Sequence, residues 1–338
     1  MGELYYLAFR DPLGASLGVT AAGVYRQAGV DVGLADWSPV KLSGADWVPW
    51  DRVAEVFRGK RVCFLVHGFN VSVDHGVKGG GPAAQEYQAL GAMGLRMSGA
   101  DLVVPVLWPG DGFIAWSYFT AFRHTRTVGA RFADFLISRA FPAAEVSFVS
   151  HSLGARVVLE TVTQAAARRP AAAPWRFGTA VLTAAAVDEG VLDQASFAAG
   201  VAALPRVVVL SSGRDEVLSK GFVIGDRIEG FLWADYRVAG GGDGRALGRF
   251  GPAFAAPSAA RGRTEWYEVA DSEDQEHGDY LPAAWDDAGP GFVNGWTRKR
   301  RQAAEFCGGV LGGAFGAGLS PHIRDRTGER RSGWAPRL

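Results

Sequence analysis

Val146-Ser147-Phe148-Val149-Ser150-His151-Ser152-Leu153-Gly154-Ala155-Arg156-Val157-Val158-Leu159-Glu160 is the stretch that decides how this chain is read. An apolar, β-branched run comes first, a five-residue turn follows, and a helix-like segment closes it. Ser152 stands at the centre of the turn, with the small residues Ser150 and Gly154 two positions to either side. A serine hydroxyl is a poor nucleophile until the backbone holds it out beside a base that can take its proton. A sharp strand-to-helix turn does this, and small flanking residues let strand and helix approach without clashing. Ala155 extends the small side. The plainer alternative is a serine-rich connection between a strand and a helix.

Outward from this turn, short apolar runs recur at residues 4–9, 62–66, 102–107, 146–149, 180–183, 207–210 and 266–269. Continuous runs of this length suit strands buried on both faces. Helix-length segments lie between them, at 83–97, 120–140, 153–168 and 191–199. The alternation predicts an α/β protein with a doubly wound, mostly parallel sheet and helices on both faces. Its ligand is expected beyond the carboxyl ends of the strands. Residues 1–60 read as N-terminal strand and flap, 61–310 as the core, and 311–338 as a tail that is disordered at its end. Residues 221–262, rich in glycine and alanine, read as an insertion able to overhang the site. Lys78-Gly79-Gly80-Gly81-Pro82 marks a loop before the first covering helix.

Composition excludes several classes. The 338 residues carry 35 basic and 35 acidic side chains, which argues against nucleic acid as a partner or an anionic membrane surface as the main target. Arg298-Lys299-Arg300-Arg301 reads as the solvated start of a helix, with a weak nucleic-acid or protein contact as the alternative. Hydrophobic residues make up 48% and charged residues 21%, an ordinary globular balance. No run approaches ~18 uninterrupted apolar residues, so no membrane span is expected. The opening residues show no basic stretch followed by a long apolar one, and the expectation is a cytoplasmic protein. Cys63 and Cys307 lie in apolar surroundings and read as buried free thiols. No His/Cys/Asp cluster has metal-ligand spacing, and Gly240-Gly241-Gly242-Asp243-Gly244 does not open a helix after a strand, so no cofactor is expected.

Three motifs occur in order: His67-Gly68-Phe69-Asn70, Trp108-Pro109-Gly110-Asp111-Gly112, and Ser150 to Gly154. Together they resemble the α/β-hydrolase superfamily. More narrowly, they resemble a poorly characterised bacterial group with a His-Gly-aromatic-Asn strand end, a Trp-Pro-small-x-Gly turn and a small-His-Ser-(Met/Leu)-Gly elbow. The resemblance covers roughly residues 61–280 and implies a serine hydrolase with a Ser152, Asp215, His277 triad. Ser150 in the first elbow position and the long insertion are departures from the pattern.

On such sheets the triad follows the chain order Ser, then Asp or Glu, then His. Of the six histidines, His277 and His322 follow the elbow, and His322 falls in the tail. His277 comes just after the last apparent strand, where the base belongs. Asp215 and Asp188 each follow a strand end and could orient that base; Asp215, beyond the later strand, is favoured. Either could instead cap a helix. The oxyanion donors are expected to be the backbone N–H groups of Leu153 and Phe69. Trp108, Phe113 and Trp116, with Phe119, could wall an apolar acyl pocket, although core packing explains such aromatics equally well. The function expected is hydrolysis of a carboxylic ester or related small acyl substrate through an acyl-enzyme, with thioesterase, amidase or acyltransferase chemistry behind it. The alternative is a catalytically inactive scaffold kept for binding. Oligomeric state has no signature in the sequence.

Overall fold

A computed structural model describes residues 2–10, 19–30, 46–69, 99–110, 115–137, 141–220, 244–255, 257–280, 298–313 and 322–329. The described elements run β1 (Gly2–Ala8), β2 (Gly23–Val30), β3 (Asp46–Trp47), α1 (Trp50–Phe57), β4 (Arg61–Val66), β5 (Leu102–Leu107) and α2 (Ala115–Ile137). They continue with β6 (Glu145–His151), α3 (Gly154–Arg168), β7 (Arg176–Thr183), α4 (Ala195–Ala203) and β8 (Arg206–Ser212). The last are α5 (Leu247–Phe250), β9 (Thr264–Val269), α6 (Arg298–Leu311) and β10 (Ile323–Asp325).

The described strands form one ten-stranded sheet in the order β10-β9-β8-β7-β6-β4-β5-β1-β2-β3. Neighbours from β1–β5 through β8–β9 pair in parallel, whereas β1–β2, β2–β3 and β9–β10 pair antiparallel. The chain therefore leaves β4 to one side for β5 and returns to its other side for β6. That reversal is a topological switch point, the place where ligands bind on such sheets, beyond the carboxyl ends of the strands.

Side chains alternate between two apolar layers. Val62, Phe64 and Val66 of β4, with Val207 and Val209 of β8, face a core completed by Val53 and Phe57 of α1, Phe132 and Leu136 of α2, Val157 and Val158 of α3, and Phe197 of α4. Cys63 and Leu65, with Val208 and Leu210, face the opposite layer against Ala303, Phe306, Cys307 and Val310 of α6. Each fully buried aliphatic or aromatic side chain contributes about 1.5–3 kcal/mol. Burial on both faces is why these strands read as continuous apolar runs. Both cysteines are free and buried, and burial pushes both thiols up, Cys307 to about 12. No helix among the described residues is long and apolar enough to cross a membrane.

Several expectations change. The helix expected over 191–199 is split: Val191–Asp193 forms a 3-10 turn, Gln194 is extended at φ −66° and ψ 136°, and α4 begins at Ala195. Asp193 turns away to accept hydrogen bonds from Ala255 N and Ser258 Oγ. The tail expected beyond residue 310 holds an ordered strand, with Ile323, Arg324 and Asp325 registered against Val269, Glu268 and Tyr267. The helix expected over 83–97, the loop at 78–82 and most of the 221–262 insertion lie outside the described residues. The insertion's described end packs down: Leu247 N donates to Val187 O at 2.8 Å and Gly248 N to Ala185 O at 2.9 Å.

Candidate active site

Ser152 joins β6 to α3 in a left-handed conformation, φ 53°. A non-glycine residue there is strained by of order 1–3 kcal/mol and persists only where its surroundings over-determine it. Here they do. Ser152 N donates to Thr183 O at 3.1 Å, while Ser152 O accepts from Ala155 N and Ala186 N, each at 3.1 Å. The helix behind the turn approaches β4 so closely that a Cβ at Gly154 would collide with the carbonyls of Val66 and His67. Ser150 fits its position because its hydroxyl is used, donating to Val181 O at 3.4 Å.

The structure brings three of the predicted side chains into one line. His277 opens a 3-10 turn, His277–Tyr280, after β9. Its Nε2 lies 2.9 Å from Ser152 Oγ and its Nδ1 lies 2.8 Å from Asp215 Oδ2. A carboxylate only accepts, so the neutral ring carries its proton on Nδ1 and offers the Nε2 lone pair to the serine hydroxyl. Asp215 is fully buried after β8, and His277 keeps 15% of its side chain exposed.

Asp215 also caps a helix, as the alternative reading had it. Its Oδ1 accepts from Leu218 N at 2.9 Å at the start of the helical residues 216–220, leaving Oδ2 for the imidazole. One carboxylate thus does both tasks. Arg249, from the end of the insertion, donates to Asp215 O at 2.7 Å. Asp188 is engaged elsewhere: its Oδ1 accepts from Gly190 N at 2.7 Å within its own turn, and its backbone bridges to Ala246.

The loop after β4 runs against the elbow. A Cβ on Gly68 would come within 2.7 Å of Ser152 Cβ, so only glycine allows this approach. His67 Nδ1–H donates to Gly68 O at 2.8 Å, while His67 Nε2 accepts from Trp108 N at 3.2 Å. The two ends of a trans peptide point in opposite directions. Holding Gly68 O against His67 therefore turns the Phe69 N–H the other way. Hydrogen bonds between described backbone groups use neither the Phe69 nor the Leu153 N–H.

Trp108 corrects the pocket expectation. It is fully buried, its ring stacks on His67 with centroids 5.4 Å apart, and its Nε1–H donates to His67 O at 2.9 Å. It packs beneath the loop rather than lining a pocket. Phe113 lies outside the described residues, as does the side chain of Trp116, whose backbone belongs to α2. Tyr118 of the same helix packs edge-on against Phe69 at 5.3 Å, a contact that sequence reasoning missed. It also missed His67 and His151, which the chain-order rule set aside although both sit within the quoted motifs. Lys299, expected in solvent, donates instead to Asp274 O and to Asp279 Oδ2. Among the described residues, no group of three or more His, Cys, Asp or Glu side chains is placed to hold a metal ion.

A mostly parallel sheet with a strained serine on a strand-to-helix turn at its switch point defines an α/β hydrolase. A family model described as an alpha/beta hydrolase of unknown function (DUF900) matches residues 52–230, just over half of the chain, and the chain belongs to that family. A search among curated proteins finds no match.

Proposed function

We propose that this protein is a serine hydrolase acting on a carboxylic ester or related acyl substrate, with Ser152 as nucleophile, His277 as base and Asp215 as the orienting acid. What supports the reading is the unbroken series Asp215 Oδ2 to His277 Nδ1, 2.8 Å, and His277 Nε2 to Ser152 Oγ, 2.9 Å, ending on a serine held at φ 53°.

In the reaction, Ser152 Oγ attacks the acyl carbon as His277 Nε2 takes the hydroxyl proton. The imidazolium so formed is stabilised by the Asp215 carboxylate. Negative charge develops on the carbonyl oxygen, where the Phe69 and Leu153 N–H groups would each contribute about 3 kcal/mol. Collapse of the tetrahedral intermediate passes the proton from His277 to the leaving alcohol and leaves Ser152 acylated. Water then gives its proton to His277 and attacks the ester carbon, releasing the carboxylic acid and returning the proton to Ser152 Oγ.

A p-nitrophenyl ester series tests this. The wild-type protein should release a burst of p-nitrophenolate close to one equivalent per chain, followed by slower turnover. Ser152→Ala should abolish both while remaining folded. Steady release without dependence on Ser152, or none from any ester, would favour a scaffold kept for binding.

A further inference from the structure

The elbow supplies a second histidine that the scheme above leaves idle. His151 directly precedes Ser152, is only 8% exposed, and places its Nε2 2.7 Å from the carbonyl oxygen of His277. A carbonyl can only accept, so the neutral His151 ring carries its proton on Nε2 and donates it there. Its other nitrogen, Nδ1, faces Gly68, where an added Cβ would come within 3.1 Å of it. The His151 ring also packs on the His277 ring at 4.8 Å and near Tyr280 at 6.2 Å, so its orientation is held by the turn it supports.

We propose that His151 is a positioning residue for the base: its Nε2–H holds the His277 carbonyl and so sets where the His277 imidazole stands relative to Ser152. The proposal rests on the catalytic reading of Ser152 and His277. Asp215 orients the imidazole from its far edge, whereas the position of the ring follows from its own backbone. The 3-10 turn is a short connection beyond the sheet, and its first residue needs an anchor. Residues 151 and 152 are consecutive, so the anchor and the nucleophile move as one piece. A displacement of the elbow carries the base with it and keeps the Oγ to Nε2 separation near 2.9 Å. Reactions of this kind lose up to about a hundredfold in rate for a misplacement of about 1 Å.

The test compares wild type, His151→Phe and His151→Gln, by fluorophosphonate labelling rate and by kcat and KM on an ester the wild type turns over. Phenylalanine keeps a ring but loses the donor, whereas glutamine can present an N–H close to the Nε2 position. His151→Phe is expected to lower the labelling rate and kcat by about 10–100-fold with little change in KM, and His151→Gln to recover most of that loss. Wild-type rates in His151→Phe would overturn the proposal. So would equal losses in both variants at equal thermal stability, since ring shape rather than the donor would then matter. Should His151→Phe fail to fold, imidazole nitrogen chemical shifts of the wild-type protein decide: the neutral Nε2–H tautomer is expected, and the Nδ1–H tautomer overturns it. A wild-type protein that neither labels nor turns over esters refutes the underlying catalytic reading. That outcome is distinct from an active wild type indifferent to residue 151.

Discussion

Trp108 donates two hydrogen bonds to His67, one to its carbonyl and one to its ring. The indole N–H donates to the His67 carbonyl at 2.9 Å, and the Trp108 backbone N–H donates to the His67 ring at 3.2 Å. This pair joins the ends of β4 and β5, and through His67 it fixes the Gly68–Phe69 peptide beside Ser152. Trp108→Phe keeps the apolar bulk but removes the donor to a buried carbonyl. It should cost about 1–3 kcal/mol of unfolding free energy in urea titration. Ester turnover should fall alongside, because the peptide bearing the Phe69 N–H loses its support. Unchanged stability would mean that the indole N–H does not matter.

Asp215 and Asp188 compete in sequence, and their variants should separate sharply. Asp215→Asn removes the acceptor that keeps the His277 proton on Nδ1, and kcat should fall by about 10⁴-fold, the size seen when a triad acid is made neutral. Asp188→Ala removes the acceptor for Gly190 N and should leave kcat within about threefold of wild type while lowering stability by about 1 kcal/mol. Kinetics of the two variants beside their urea midpoints check both statements.

Acid should destabilise the protein partly through His151. Burial lowers its pKa from 6.5 to about 3, and the neighbouring His277 and His67 push the same way. Between those values the unfolded chain binds a proton that the folded chain does not. Stability is therefore highest above about pH 6.5 and falls as pH drops toward 3, by up to about 1.4 kcal/mol per pH unit from this group. His151→Gln lacks the titrating ring, so its unfolding free energy should fall less steeply between pH 6.5 and pH 4.5. Parallel slopes would assign the acid sensitivity to other groups.

Lys299 reaches from α6 to the turn that carries His277, donating to Asp274 O and, at 3.1 Å, to Asp279 Oδ2. Lys299→Met keeps the aliphatic stem and removes the tether. We expect kcat to fall about five- to tenfold with KM little changed, since a slightly displaced base is enough to slow proton transfer. Activity equal to wild type would show that the turn holds its place without α6.

How much of this was legible in the sequence depended on whether the signal was local. The runs 146–149 and 207–210 gave strands because burial on both faces leaves them almost wholly apolar, Ser147 being the one polar residue among them. Ile323-Arg324-Asp325 has one apolar residue, and only its pairing with β9 makes it a strand, so the segment read as tail. β2 and β3 sit at the opposite edge of the sheet, within the stretch read only as N-terminal strands and flap. The elbow was legible because strand, turn and helix are contiguous. Between Asp188 and Asp215 the strand order favoured Asp215 without deciding it, because both follow strands, and in the fold it is the Asp215 carboxylate that lies 2.8 Å from the His277 ring. Trp108 was left between pocket lining and packing, since its direction is set by hydrogen bonds to a residue 41 positions away. His151 was passed over because its partner is a backbone carbonyl 126 residues later.

The most direct measurement is fluorophosphonate labelling of the purified protein, with the modified peptide located by mass spectrometry. The account predicts a single adduct on Ser152, absent in Ser152→Ala and formed at least about a hundredfold more slowly in His277→Ala. No adduct on the folded wild-type protein, or an adduct on another residue that survives Ser152→Ala, would contradict it.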